Sequence, residues 1–397
     1  MFATAPTEPT ERVRDGISAE PDTLLTMTRI LSFLAFAPLL SAQLMYVGTY
    51  TKPQSTSEGI YAYRLDAKTA KFSPLGLVAA GVNPTFLAVH PNGKFLYAIN
   101  EVDEYKGKKS GSVSAYSIDN ATGKLTLLNQ VPSGSPGPCH LIVDATGKSV
   151  LVANYSGGSF SSFAVQADGK LSEAVSFIQE KGSSVDKQRQ MGPHGHSIVL
   201  AKNNKIALGA DLGTDKVMIF RLDAATGKLT PSEPAFGTVK PGSGPRHLAI
   251  APDQKHVYVQ NEMFSSVSTM ELDAEKGTLK ELAQASALPA PVKGNSGAEI
   301  HISADGKFVY SSNRGDNSIA VFSVDPKTAL LRLIQNEPTG GKTPRAFEFD
   351  PSGNFLVAGN QDTNTFTLHR VDKATGKLSP VGEPVALGAP VTFAFVK

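Results

Sequence analysis

The chain has 397 residues, a net charge of +2, 41% hydrophobic residues and 19% charged ones. That balance belongs to a soluble globular protein and gives no reason to expect nucleic acid or an anionic membrane as a partner. The single cysteine, Cys139, excludes an internal disulfide and a cysteine-rich metal site.

Residues 1–26 are rich in Pro, Thr and Glu without periodicity and read as a disordered extension. From Met27 the text changes to MTRILSFLAFAPLLSAQ. A short positive region at Arg29, an apolar run from Ile30 to Leu40 and small residues before Gln43 read as a signal peptide over 27–42. Residues 43–397 are then expected to form one domain, periplasmic or secreted if the leader is used and cytoplasmic otherwise. No membrane association is expected of the mature form.

Three phrases recur along that domain, each seven times, one of them in a copy without its turn. One is a Gly/Pro-led strand: NPTFLAVH at Asn83, GPCHLIVD at Gly137, GPHGHSIVL at Gly192, GPRHLAIA at Gly244, GAEIHIS at Gly297, TPRAFEFD at Thr343 and APVTFAFV at Ala389. The next is a turn and a strand ending near Asn, as in PNGKFLYAIN at Pro91 and PDQKHVYVQN at Pro252, with MYVGTY at Met45 as the copy lacking its turn. The last is an aromatic-led strand with a tight turn, as in FRLDAATGKL at Phe220. The ends of the turn-led strands, taken at Asn100, Asn154, Ala210, Asn261, Asn313 and Asn360, are 54, 56, 51, 52 and 47 residues apart. Four short strands per unit at this spacing predict an all-β, seven-bladed β-propeller with antiparallel blades. The chain opens on the second strand of a blade and closes on a lone first strand. The C-terminal strand is therefore expected to pair with the N-terminal strands and close the ring, leaving only short edges.

One end of every hairpin carries bland turn residues. The other carries Asn83 with Glu101, His140 with Asn154 and Tyr155, His194 and His196 with Asp211, Arg246 and His247 with Glu262, Glu299 and His301 with Arg314, and Arg345 with Gln361. Strands of similar length bring Arg246 and Glu262, sixteen apart in sequence, to one sheet edge. If the first strands line the central channel, these groups converge on one mouth, which is the candidate site. Each alone has a structural reading: a histidine such as His140 or His247 as a satisfied core residue, Arg246–Glu262 as an edge ion pair. The Asp-x-x-x-Gly-Lys turns, such as Asp223 to Lys228, read as tight turns and not ligand loops. His194-x-His196 and Glu299-x-His301 could build a metal site, but three arginines at the same mouth would repel a cation. No metal and no cofactor is expected.

At GPHGH, GPRHLAIAPD, the Asn261-Glu262 pair, AEIHISADGKFVYSSNRG and PRAFEFDPSGNFLVAGNQ the chain resembles the lactonase family of seven-bladed propellers, which includes 6-phosphogluconolactonases and carboxymuconate cycloisomerases. The resemblance spans about residues 44–397. It implies hydrolysis of a small anionic sugar lactone by a metal-independent site; lactone formation by a cycloisomerase or a non-catalytic binding propeller are the alternatives. By motif, the catalytic set falls on His196 or His194, with His196 preferred, and on Arg246, Glu262 and Arg314. His140, His247, Glu299, His301 and Arg345 are expected to bind substrate or shape the rim. A monomer is expected.

Overall fold

A computed structural model describes residues 42–396. The expected extension and leader lie outside the described residues, apart from Ala42, which already starts the first strand, Ala42–Thr49. Seven four-stranded antiparallel sheets follow one another around a ring, and a single 3-10 turn, Gln361–Thr363, is the only helical element among the described residues. Six sheets are continuous in sequence, over residues 87–132, 138–179, 195–238, 245–286, 296–338 and 344–386. The seventh is split: the C-terminal strand Pro390–Phe395 pairs with Ala42–Thr49, which leads into two further strands ending at Ala80. The seven blades and the closure read from the repeats are thus the observed ones. Among the described residues no helix is long and apolar enough to cross a membrane.

The repeated phrases hold neighbouring blades together. Apolar residues of adjacent blades interlock in shared clusters, as Leu208 and Ile219 do with Leu248, Val257 and Met270. Each such side chain contributes about 1.5–3 kcal/mol when buried. The tyrosine of the turn-led strand reaches the tight turn of the next blade: Tyr46, Tyr97 and Tyr310 donate to the carbonyls of Gly123, Gly169 and Gly376 at 3.0, 3.0 and 2.8 Å. These turns are therefore structural, as their composition suggested. Gly169 shows why glycine is needed there: its φ is +84°, and a Cβ would stand 2.4 Å from the Phe95 ring.

The recurring Asn is structural too. Asn261 Nδ2 donates to Ser266 and Ser268 at 3.1 and 2.8 Å, and Asn154 clips Ser159 and Ser161 in the same way. One strand end needs correction. Asp211, not Ala210, occupies the Asn place, pairing with Gly195 as Asn261 pairs with Pro245. It is the last residue of its strand, and its carboxylate accepts from the backbone N–H of His194 and Gly213 at 2.7 and 3.0 Å. An acid can do there what an amide does elsewhere because local donors converge on it. The positions available for chemistry are the ones flanking this clip.

Candidate active site

In six of the seven blades the first strand joins the second through a bulge. In the 245–286 blade, Pro245 pairs with Asn261 and His247 with Gln260, leaving Arg246 without a cross-strand partner. His196, Cys139 and Arg345 are the extra residues of the corresponding bulges. A bulge turns the extra side chain out of the strand's alternation. A proline just before it suits the place, since it has no N–H to lose from the ladder. The preceding residue has positive φ in several blades: +59° and +64° at Gly137 and Gly244, but also +60° at Thr343. In these blades the chain thus presents one side chain at the same height, with the next residue deeper and the residue after the Asn clip beside it.

Glu262 is the centre of this arrangement and is 5% exposed. Its Oε2 lies 3.2 Å from Arg246 Nε and 2.9 Å from Arg314 Nη2, and its Oε1 is 2.7 Å from Arg189 Nη2. Burial alone would raise the carboxyl pKa, but the charges of Arg314, Arg246 and Arg189 outweigh it and hold the group at about 2. Arg246 is 2% exposed, and its Nη1 donates to Ala298 O at 2.6 Å. Burial, and then repulsion by Arg314 and Arg345, lower its pKa to about 9, which still leaves it charged at neutral pH. Arg314 also donates to Gly297 O at 2.8 Å.

His196 Nε2 stands 3.9 Å from Glu262 Oε2, with Cys139 Sγ 3.7 Å from its Nδ1. Burial, with the charge of Arg246, holds His196 well below the ordinary histidine value, so it is neutral at pH 7. One residue deeper, His247 Nδ1 bonds Glu299 Oε1 at 2.6 Å, and its ring meets those of His140 and His196 edge-on at 5.2 and 5.4 Å. Burial is also the first cause lowering His140 and His247. On the opposite side of the ring, Tyr50 and Thr85 donate to Glu101 at 3.0 and 2.6 Å, and the Arg345 guanidinium lies 5.5 Å over the Tyr50 ring.

Because His140, His196 and His247, like the buried His369 elsewhere in the fold, charge more readily unfolded than folded, their folded pKa lies below the unfolded one. Stability is full above about pH 6.5 and falls as pH drops below it. The expected result is a thermal midpoint that declines between pH 7 and pH 5. A flat profile over that window would contradict the burial of all three.

Residues 44–395 match the family described as lactonase, seven-bladed β-propeller. The chain is 39% identical to a 6-phosphogluconolactonase of Bacillus subtilis over 352 residues, covering 88% of this chain and 97% of that one. It is 36% identical over 346 residues to a 6-phosphogluconolactonase of Formosa agariphila, with 86% and 96% covered. Among solved structures it is similar to the periplasmic gluconolactonase of Pseudomonas aeruginosa, with a TM-score of 0.82, 32% identity, and 90% and 99% of the two chains covered. The chain belongs to the lactonase family of seven-bladed β-propellers.

The lactonase is a lactone-hydrolysing enzyme, and its mouth brings together His196, Arg246, Glu262 and Arg314 as the motifs implied. His194 takes another place. Its ring stacks on Tyr155 at 4.5 Å and its Nδ1 faces the Tyr155 carbonyl at 3.0 Å, so it supports the loop and does not join the cluster on Glu262. His140, His247 and Glu299 lie one residue deeper than the bulge ring. His301 lies deeper again: two residues past Glu299 on the same strand face amounts to roughly 7 Å down the channel. It lines both a hollow of about 470 Å³ walled by first strands of all seven blades and a hollow of about 860 Å³ bordered by Glu348, Asp350 and Lys373. His301 therefore lies between the site and the other opening, with its Nε2 4.0 Å from Glu299 Oε1 and its Nδ1 3.9 Å from Glu348 Oε1.

Of the two possible metal pairs, Glu299 and His301 approach each other, with His301 Nε2 4.0 Å from Glu299 Oε1, while the two histidines of GPHGH part. His194 and His196 face different partners, and no group of three or more His, Cys, Asp or Glu side chains among the described residues is placed to hold a metal ion. Arg189 is the site residue the sequence reading missed. It comes from the loop between strands Leu171–Gln179 and Gly195–Leu200, outside every repeated phrase, and it also donates to Tyr155 Oη at 3.1 Å. The signal available was length: the interval from Asn154 to Asp211, 57 residues, is the longest of the series.

Proposed function

We propose that this lactonase opens a small anionic sugar lactone of the 6-phosphogluconolactone class, with His196, Arg246, Glu262 and Arg314 carrying the reaction. The observation behind this reading is one carboxylate held ionised by three guanidinium groups beside a neutral, buried histidine. Glu262, at about 2, is too weak a base to take a proton from water at neutral pH. Its work is to hold Arg246 and Arg314 in place. His196 is neutral and has its Nε2 on the Glu262 side, so it is the base.

Water attacks the lactone carbonyl carbon as its proton passes to His196 Nε2. The carbonyl oxygen becomes an oxyanion, which Arg246 or Arg314 stabilises. The tetrahedral species collapses, the bond from carbonyl carbon to ring oxygen breaks, and His196 returns the proton to that oxygen. The product is a hydroxy acid that ionises and releases one proton to solution. The step needs no metal, and turnover is expected to persist in a chelator.

Export is part of the same proposal. It is supported by the leader-like text of residues 27–42 and by similarity to a periplasmic relative. Mass spectrometry of the mature chain, expected to begin at Gln43, tests it; an intact 27–42 segment in the cytoplasm overturns it. The activity is tested by following acid release from a panel of sugar and muconate lactones at constant pH. Turnover of an anionic sugar lactone is expected, and no turnover on any would leave a binding propeller.

A further inference from the structure

Four guanidinium groups stand at the mouth, and three are matched. Arg189, Arg246 and Arg314 all reach Glu262. Arg345 does not: among the described residues no carboxylate lies within ion-pair distance of it, and no hydrogen bond engages it. The acid on its side, Glu101, already accepts from Tyr50 Oη and from Thr85 Oγ1. What braces Arg345 is the Tyr50 ring, 5.5 Å from its guanidinium carbon, and that ring is itself anchored through its hydroxyl to Glu101. Arg345 is only half-buried, and its backbone place is the bulge position that Arg246 and His196 occupy in their own blades.

Burial works against the charge of Arg345, but Tyr50, Glu101 and Glu262 together outweigh that from beyond ion-pair distance while leaving its donors unengaged. A planar guanidinium fixed from one side by an aromatic ring presents its donor edges in a geometry that suits two oxygens of a phosphate or carboxylate. Arg246 and Arg314 are less free for that role, since each is already ion-paired with Glu262 and donates an N–H to a backbone carbonyl. Resting on the lactone-hydrolase reading above, we propose that Arg345, braced on Tyr50, is the subsite for the anionic substituent of the lactone. It binds the phosphate or carboxylate at the end of the sugar away from the ring carbonyl, across the mouth from Glu262. The lactone carbonyl and the anion are then read by different arginines, so chemistry and specificity separate.

The test uses three substrates: 6-phosphoglucono-δ-lactone, glucono-δ-lactone without an anionic group, and a glucaro-lactone with a carboxylate in place of the phosphate. Steady-state constants are measured for the wild type, Arg345→Gln and Arg345→Lys, with thermal midpoints as the folding control. Arg345→Gln is expected to lower kcat/KM for the preferred anionic lactone by about 10- to 100-fold, mostly through KM, and at least tenfold more than for the neutral lactone. Arg345→Lys is expected to recover part of the loss. Inorganic phosphate should inhibit the wild type on the neutral lactone, and Arg345→Gln should relieve that inhibition. Whether the phosphorylated or the carboxylate lactone shows the larger split identifies the anion. Equal losses on charged and neutral lactones, or no loss on either, overturn the subsite while leaving lactone hydrolysis standing. A wild type inactive on all three overturns the hydrolase reading and the subsite with it.

Discussion

Replacing Glu262 by Gln is expected to lower the rate of lactone opening by about 10²–10³-fold, the usual loss when oxyanion stabilisation is removed. It is also expected to destabilise the fold by roughly 3–5 kcal/mol, because breaking a buried charge cluster leaves its partners uncompensated. Arg246 and Arg314 both converge on Glu262 Oε2 and repel each other once its charge is gone. The amide keeps the shape but cannot hold two guanidinium groups against that repulsion, so the geometry that meets the oxyanion is lost together with stability. Taken as a lone edge pair, Arg246–Glu262 would be worth little and removable at small cost; burial and two further arginines make the difference. Urea denaturation beside steady-state kinetics checks both halves. An unchanged midpoint with full activity would show that Glu262 organises nothing.

His196→Asn is the second large effect, a loss of about 10²–10⁴-fold in kcat if this group carries the proton. The pH dependence is diagnostic. Burial, with the charge of Arg246, depresses the His196 pKa, so its basic form persists below the ordinary histidine value. The rate of the wild type is therefore expected to hold from pH 7 down through pH 6.5 and to fall only at lower pH. A fall centred at or above pH 6.5, or a variant that keeps its rate, would assign the proton transfer to another group. His247 is the natural second candidate, since Glu299 engages its Nδ1 and its Nε2 is buried without a partner.

Most of the architecture was legible because the repeats are local. Turn residues, alternation and spacing each recur in every blade, so the number of blades and the split closure follow from counting. The Arg246–Glu262 proximity was legible for the same reason, as both ends belong to one hairpin. What was not legible depends on bulges and on loops. Alternation along Glu299-x-His301 puts both side chains on one strand face, but not at one depth, and His301 consequently stands between Glu299 and Glu348, below the ring of arginines. GPHGH offers two histidines, and only the bulge after Gly195 decides that His196 enters the channel while His194 stacks on Tyr155. Arg189 comes from a loop that repeats nothing, so no pattern pointed to it until Glu262 Oε1 was seen at 2.7 Å. Asp211 mimics its neighbours' Asn because it meets one backbone N–H of its own loop, that of Gly213, and one from the segment entering the preceding strand, that of His194.

The most direct test is the initial rate of 6-phosphoglucono-δ-lactone opening, followed by base consumption against the spontaneous rate, for the wild type, Glu262→Gln and His196→Asn at pH 6.5 in the presence of a chelator. The expected result is rapid opening by the wild type and a rate at least about 10²-fold lower for either variant. A wild type no faster than spontaneous opening, or variants that match it, would contradict the assignment of lactone chemistry to this mouth.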